Sequence, residues 1–239
     1  MRMIKTAYNA IISALRRAAA TKTAWCDPET KQRMEQIFCD IYRVNAWGND
    51  ESVSGPGSTM KRGAAFIDEL AHVLRILDVR SLLDAPCGDF NWVAPIAGRM
   101  EKYLGIDIVK ELVLENERRY GSPNAGFLQM DVSCDPLPRA DAILCRDCLV
   151  HFSHEDIWMT LNNVRRSQAL YFITTTFVGP RENENIKTGG WRPLNLQRLP
   201  FCFPEPLRLI DEHCDHTDGA YADKRLGVWR VLDLPETGC

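Results

Sequence analysis

Beyond residue 80 the chain alternates short apolar runs with longer stretches whose apolar residues recur three or four apart. The runs read as buried strands at 80–85, 102–107, 126–131, 141–145 and 169–175, with a sixth beginning near Leu207 and a seventh over 227–234. Between them, Asn91–Ala97 reads as a short helix made irregular by Pro95. Lys110–Arg119 reads as a polar-faced helix stopped by Gly121-Ser122-Pro123. Ser153-His154-Glu155-Asp156 has the form of a capping box and predicts a helix over 154–166. This alternation predicts an α/β fold, a doubly wound, mostly parallel sheet with helices on both faces.

Ahead of the sheet the period is helical. Phe66, Ile67, Leu70, Leu74 and Leu77 mark a helix over 60–77. Met34, Ile37, Phe38, Ile41 and Tyr42 mark another, opened by Asp27-Pro28-Glu29, which combines a capping acid, a first-turn proline and an acid near the positive end of the helix dipole. Ile4, Tyr8, Ile11, Ile12 and Leu15 predict an N-terminal helix beside Lys5, Arg16 and Arg17. It is expected to pack on the domain, with weak contact to a membrane surface as the sharper alternative. Residues 44–59 form a polar Gly/Ser-rich loop around Trp47, read as a lid. The expected division is a helical cap and lid loop over 1–58, and an α/β domain over 59–239 with a long irregular stretch at 178–205.

Composition narrows the function. The 239 residues are 45% hydrophobic, enough for one α/β domain with a full core. A net charge of −3 offers no global attraction to nucleic acid, so no nucleic-acid partner is expected. No run of about 18 apolar residues occurs, so no transmembrane segment is expected. The N-terminal stretch also lacks the apolar centre of a secretory signal. Nine scattered cysteines, an odd number, point to reduced thiols and a cytoplasmic location.

The candidate chemistry sits at strand ends. SLLDAPCGDFNW (81–92) is a strand, a tight turn and a helix start, with Asp84 closing the strand. The next two strands also end in acids, Asp107 and Asp131. In an open parallel sheet ligands bind at the carboxyl ends of the strands. LLDAPCG, YLGIDI, FLQMDV and ADAILCRDCLVHF, in that order, resemble the successive motifs of the class I, Rossmann-like methyltransferases that use S-adenosylmethionine. The resemblance covers roughly residues 60–235. It implies a seven-stranded sheet with an antiparallel last strand, and S-adenosylhomocysteine as product. The sequence departs from the family's Gly-x-Gly-x-Gly turn, keeping Gly88 and placing Pro86 and Phe90 where the outer glycines stand.

With that cofactor each acid has a task. Asp107 accepts from the ribose hydroxyls, with Ile108 beside it. Asp131 accepts from the adenine amine, with the Val132 backbone nearby. The resemblance assigns Asp84 to the methionine amino group, and Ala85, Pro86 and Gly88 to close backbone approach. Trp47 is expected to lid the pocket or stack on the base, Arg62 to pair with the cofactor carboxylate, and Arg146 to flank the cofactor. In CRDCLVHF, His151 is the candidate general base and Asp147 its orienter or the acceptor's. Asn183, Asn185, Trp191, Arg192 and Asn195, in the 178–205 stretch, are the expected contacts to a small-molecule or saccharide acceptor. Cys145-x-x-Cys148, even with His213-Cys214-Asp215-His216, is a weak zinc signal, and no metal is expected. The reading is methyl transfer to a polar acceptor, most simply a hydroxyl oxygen. A non-catalytic cofactor-binding module is one alternative. A nicotinamide-dependent oxidoreductase is another, but it wants more glycines in the first turn.

Overall fold

The structure is a computed structural model that describes residues 25–214 and 219–236. The N-terminal helix expected before residue 20, and Asp215 and His216, lie outside the described residues. Seven strands form one sheet: β1 (Ser81–Asp84), β2 (Lys102–Asp107), β3 (Ala125–Gln129), β4 (Ala142–Cys145), β5 (Tyr171–Phe177), β6 (Arg208–Asp211) and β7 (Lys224–Arg230). Their spatial order is β3-β2-β1-β4-β5-β7-β6. The first five run parallel, and β7 enters antiparallel between β5 and β6. Chain order reverses at β1, whose neighbours are β2 and β4, so a crevice opens above the carboxyl ends of β1 and β4.

The side-chain period of two along each strand splits the core into two layers. Leu83, Ile106, Ile143 and Phe172 face one side, with Leu161 and Val164 of the helix over 154–166. Leu82, Tyr103, Leu144 and Ile173 face the other, with Leu70 and Leu74 of the helix over 67–76. Both faces are covered, which is why the parallel strands read as continuous apolar runs.

Helices α1 (Pro28–Arg43), α2 (Met60–Ala64), α3 (Ile67–Ile76), α4 (Ala94–Ala97), α5 (Lys110–Tyr120) and α6 (His154–Arg166) complete the fold. Two have the caps that the sequence announces. The Asp27 carboxylate accepts from Thr30 N at 2.9 Å, and Ser153 Oγ accepts from Asp156 N at 3.1 Å. The single helix expected over 60–77 is two, because Phe66 leaves helical geometry (φ −128°) to enter the core. The last strand starts earlier than expected and ends at Arg230, where Val231–Asp233 tightens into a 3-10 turn. Residues 178–205 have no regular structure but bury Leu194, Leu196, Phe201 and Phe203.

The reduced-thiol expectation needs correction. Cys26 and Cys134 form a disulfide, and Cys202 is also disulfide-bonded. The lead-in to α1 lies along the loop after β3, where Trp25 N donates to Cys134 O at 2.7 Å, and this brings together two cysteines 108 residues apart. No helix among the described residues is long and apolar enough to cross a membrane.

Candidate functional site

The crevice at the β1/β4 switch holds a cavity with about 1040 Å³ of empty space, counting the solvent at its mouth. Its floor is the set of strand ends. Asp84, Pro86, Gly88, Asp107, Ile108, Asp131, Val132, Arg146, Asp147 and His151 all line it. Met34, Phe38 and Tyr42 of α1 form one wall, and Trp47 and Val53 of the lid loop form another.

The turn after β1 takes up left-handed backbone. Gly88 has φ +53° and Phe90 φ +61°, so Phe90 adopts a conformation that a glycine holds at less expense. Phe90 is held there by its ring, which packs on Tyr103, Tyr120 and Phe127 with centroids 4.9 to 5.2 Å away. The Ala85–Pro86 peptide is cis. The turn is tied to the next strand end, since Gly88 N donates to Asp107 Oδ2 at 3.1 Å. It is tied to the lid as well: Val53 N donates to Asp89 Oδ2, and Asp89 N donates to Ser54 Oγ, both at 3.1 Å.

The three strand-end acids are buried. Burial pushes the Asp84 carboxyl up to about 7, against the lowering effect of the Tyr103 hydroxyl, which donates to Oδ2 at 2.5 Å. Burial likewise raises Asp107 to about 6, although the backbone N–H of Val109 and Gly88 favour its charged form. Asp131 is raised by burial too, and is steadied at Oδ1 by Ser133 N (2.8 Å) and Ser133 Oγ (2.6 Å). Its Oδ2 is buried without a partner. A buried acceptor without a partner, on a residue that lines the cavity, suits a ligand N–H donor.

Behind β4 lies a charged group of which the sequence announced only part. Arg146 is buried between the rings of Phe66 and Trp92, 5.0 and 4.8 Å from their centroids. It donates to Glu212 Oε2 at 2.6 and 3.1 Å, and to Gly57 O of the lid loop at 3.0 Å. Lys224 Nζ lies 2.7 Å from Asp147 and 3.1 Å from Glu212. Burial alone would raise the Asp147 carboxyl, but Lys224 and Arg146 override it and hold it well below the usual range. Asp147 has φ +52°. Glu212 and Lys224 lie far along the chain in unremarkable local sequence, and nothing in their spacing announces them.

His151 is half-buried in the 3-10 turn over 149–151, with its ring centroid 4.9 Å from that of Trp47. Its Nδ1 lies 2.7 Å from Gly190 O. A carbonyl oxygen only accepts, so Nδ1 carries the proton and the neutral ring keeps its lone pair on Nε2. Burial lowers the His151 pKa, against the opposing pull of Gly190 O.

Other expected residues lie elsewhere. Arg62 sits on α2, outside the cavity lining, and Arg146 is the guanidinium there instead. Asn183 donates to Asn195 O and Leu199 O, and Asn185 Oδ1 accepts from His154 N. Asn195 Nδ2 donates to Gly179 O. Arg192 is buried and donates to Leu149 O and Phe152 O, clamping the turn that carries His151. These polar groups, expected to meet an acceptor, are therefore engaged by backbone, Asn183 and Asn195 within the loop and Asn185 and Arg192 on the segment over 149–154, because a long irregular stretch and the turn it packs on must satisfy their buried backbone groups. Trp191 remains about half exposed, packed edge-on against Tyr221 at 5.1 Å. Cys145 and Cys148 are both buried, and among the described residues no group of three or more metal-binding side chains gathers.

These features fit the cofactor that the resemblance implies. Asp84, Asp107 and Asp131, the acids expected to meet it, line one cavity, and Asp131 Oδ2 is a buried acceptor without a partner. Residues 82–169 match a family described as a methyltransferase domain. No curated protein matches the chain in sequence. Among solved structures, it is similar to the 1,6-didemethyltoxoflavin-N1-methyltransferase of Burkholderia thailandensis, at 16% identity and TM-score 0.55 over 88% of this chain and 92% of that one. It is also similar to magnesium protoporphyrin IX methyltransferase of Synechocystis, at 18% identity and TM-score 0.46 over 62% of this chain and 73% of that one. Sheet order and matched segment agree: residues 82–169 are similar to a methyltransferase domain, and the chain has the seven-stranded α/β fold of the class I methyltransferases that use S-adenosylmethionine.

Proposed function

We propose that the enzyme methylates a hydroxyl oxygen on a small, uncharged ring compound, with His151 as the general base. The observation that carries this reading is the His151–Gly190 hydrogen bond, which leaves Nε2 unprotonated on a residue lining the cavity. The sulfonium of the bound cofactor supplies an electrophilic methyl group. The chain then has to align an acceptor oxygen with it and take the proton from that oxygen. The lowered pKa of His151 keeps the ring neutral and able to accept that proton down to mildly acidic pH.

Asp147 is engaged by Lys224 and by Thr175 Oγ1, so its role is a fixed negative charge near the His151 ring. This charge favours the imidazolium that forms once the proton arrives. The acceptor class follows from the walls. Phe38, Tyr42, Trp47 and Phe152 are aromatic, and the loop amides that would have read a saccharide's hydroxyls are occupied. A flat ring face, or the C–H face of a sugar, suits the remaining surface.

The test is methyl transfer from S-adenosylmethionine to a panel of phenols, hydroxylated heterocycles and sugars, read by mass spectrometry. His151→Gln is expected to lower kcat by about 10²- to 10⁴-fold on whichever hydroxyl acceptor is used. Affinity for S-adenosylhomocysteine should stay within about threefold, since His151 makes no cofactor contact in this reading. Transfer to nitrogen or carbon acceptors alone, or full activity in His151→Gln, would overturn it.

A further inference from the structure

We infer that Tyr103 is a positioning residue for the amino-acid end of the cofactor, acting through Asp84. The inference rests on the reading of Asp84 as the acceptor for the methionine amino group. Tyr103 lies near the start of β2, paired in register with Leu82, and its side chain reaches along the sheet to the end of β1. Its hydroxyl donates to Asp84 Oδ2 at 2.5 Å, within a buried environment. Asp84 Oδ1 has no hydrogen-bond partner among the described residues, and Asp84 lines the cavity. The two carboxylate oxygens are thus divided, one held from behind and the other left for a ligand. A carboxylate turns about its last bond with little resistance, so a single strong donor on one oxygen fixes the direction of the other.

The surroundings make the anchor rigid. The Tyr103 ring is wedged between Phe90 and Phe127, at 5.2 and 5.9 Å between centroids. Phe90 belongs to the cofactor turn itself, so the same ring that aims Asp84 supports the turn. Burial, with Asp84 and Cys87 close by, raises the Tyr103 pKa well above its ordinary value, so the phenol stays protonated and a donor throughout the working range. Two buried groups otherwise acting on Asp84 are the like charge of Asp107, which raises its pKa, and the opposite charge of Arg146, which lowers it. Removing the Tyr103 hydroxyl therefore changes both the aim and the ionisation of Asp84.

The experiment compares two ligands by calorimetry on the whole protein. S-adenosylhomocysteine carries the amino-acid end, and 5′-methylthioadenosine lacks it. In Tyr103→Phe, which keeps the ring and its packing, S-adenosylhomocysteine is expected to bind about tenfold more weakly, and methylthioadenosine within about twofold of wild type. The pH at which S-adenosylhomocysteine affinity reaches half its maximum should move upward, because Asp84 loses the hydrogen bond that held its pKa down. Adding Tyr103→Phe to Asp84→Asn should cost nothing further. Unchanged affinity for S-adenosylhomocysteine, or an equal loss for both ligands, would leave Tyr103 a packing residue and overturn the inference. If the wild-type protein bound neither ligand, the cofactor reading itself would fall, a separate outcome.

Discussion

At the scale of single residues, the site depends on carboxylate oxygens with different partners. Asp131 is the sharpest case, because its backbone and hydroxyl donors from Ser133 both fall on Oδ1. In Asp131→Asn the amide oxygen keeps those donors, and the NH₂ group replaces the open Oδ2. It would then meet the adenine amine donor to donor. S-adenosylhomocysteine affinity should fall by roughly 10- to 100-fold, as expected for an unmet buried polar group. The inosine analogue, which presents a carbonyl at that position, should lose far less or gain. Titrating both ligands against the variant checks this, and a parallel loss would show that Asp131 does not read the base. Asp84, Asp107 and Asp131 were legible in the sequence because each ends an apolar run, and the fold brings strand ends together without further instruction. Tyr103, Glu212 and Lys224 were not. Tyr103 sits inside an apolar run like any core aromatic, and Glu212 finds Arg146 across 66 residues. Such pairings follow from the sheet order, not from local spacing.

At the scale of elements, α1 is the piece that turns an open crevice into a walled cavity. Its apolar stripe was readable from the period, and Met34, Phe38, Ile41 and Tyr42 all face the ligand space. Its fastening was not readable. The disulfide between Cys26 and Cys134, the ion pair from Lys31 to Asp135 and the pair from Arg33 to Asp156 all secure the first half of the helix. The two ion pairs have partly exposed cations and contribute modestly. The disulfide closes a long loop, and bonds of this kind contribute about 2–4 kcal/mol. Cys26→Ser is therefore expected to lower Tm by roughly 5–15 °C. It should also weaken S-adenosylhomocysteine several-fold, because Cys134 lies in the segment that carries Asp131. A point variant serves better than a reductant, since Cys202 is disulfide-bonded too. Thermal scans and calorimetry on the same preparation report both effects. A drop in Tm with unaltered affinity would confine the disulfide to stability. By contrast, α6 was legible to the residue, because Ser153 caps it and Ser167 follows its last turn.

At the scale of the whole molecule, the antiparallel end of the sheet is not merely an edge. β7 brings Lys224 beside Asp147, and the residue after β6 brings Glu212 beside Arg146, which in turn holds Gly57 of the lid loop. Two cations and two carboxylates thus join lid, β4, β6 and β7 in one buried network. Removing one member of such a group leaves an uncompensated charge, at roughly 3–5 kcal/mol. Lys224→Met should accordingly lower Tm near neutral pH by about 10 °C or more. The pH dependence identifies the cause. The folded-state pKa of Asp147 is depressed, so its contribution to stability is present above its unfolded value and is lost as pH falls through the lower folded value. In Lys224→Met much of that contribution is gone at every pH. The Tm gap between wild type and variant should then be widest near neutrality and narrow as the solution is acidified below about pH 4. A gap that stays constant with pH would mean that Lys224 matters for packing at the start of β7 and not for the charge of Asp147. Such a result would also remove the fixed negative charge assigned to Asp147 beside His151, so a stability measurement on a residue outside the cavity lining bears directly on the proposed chemistry.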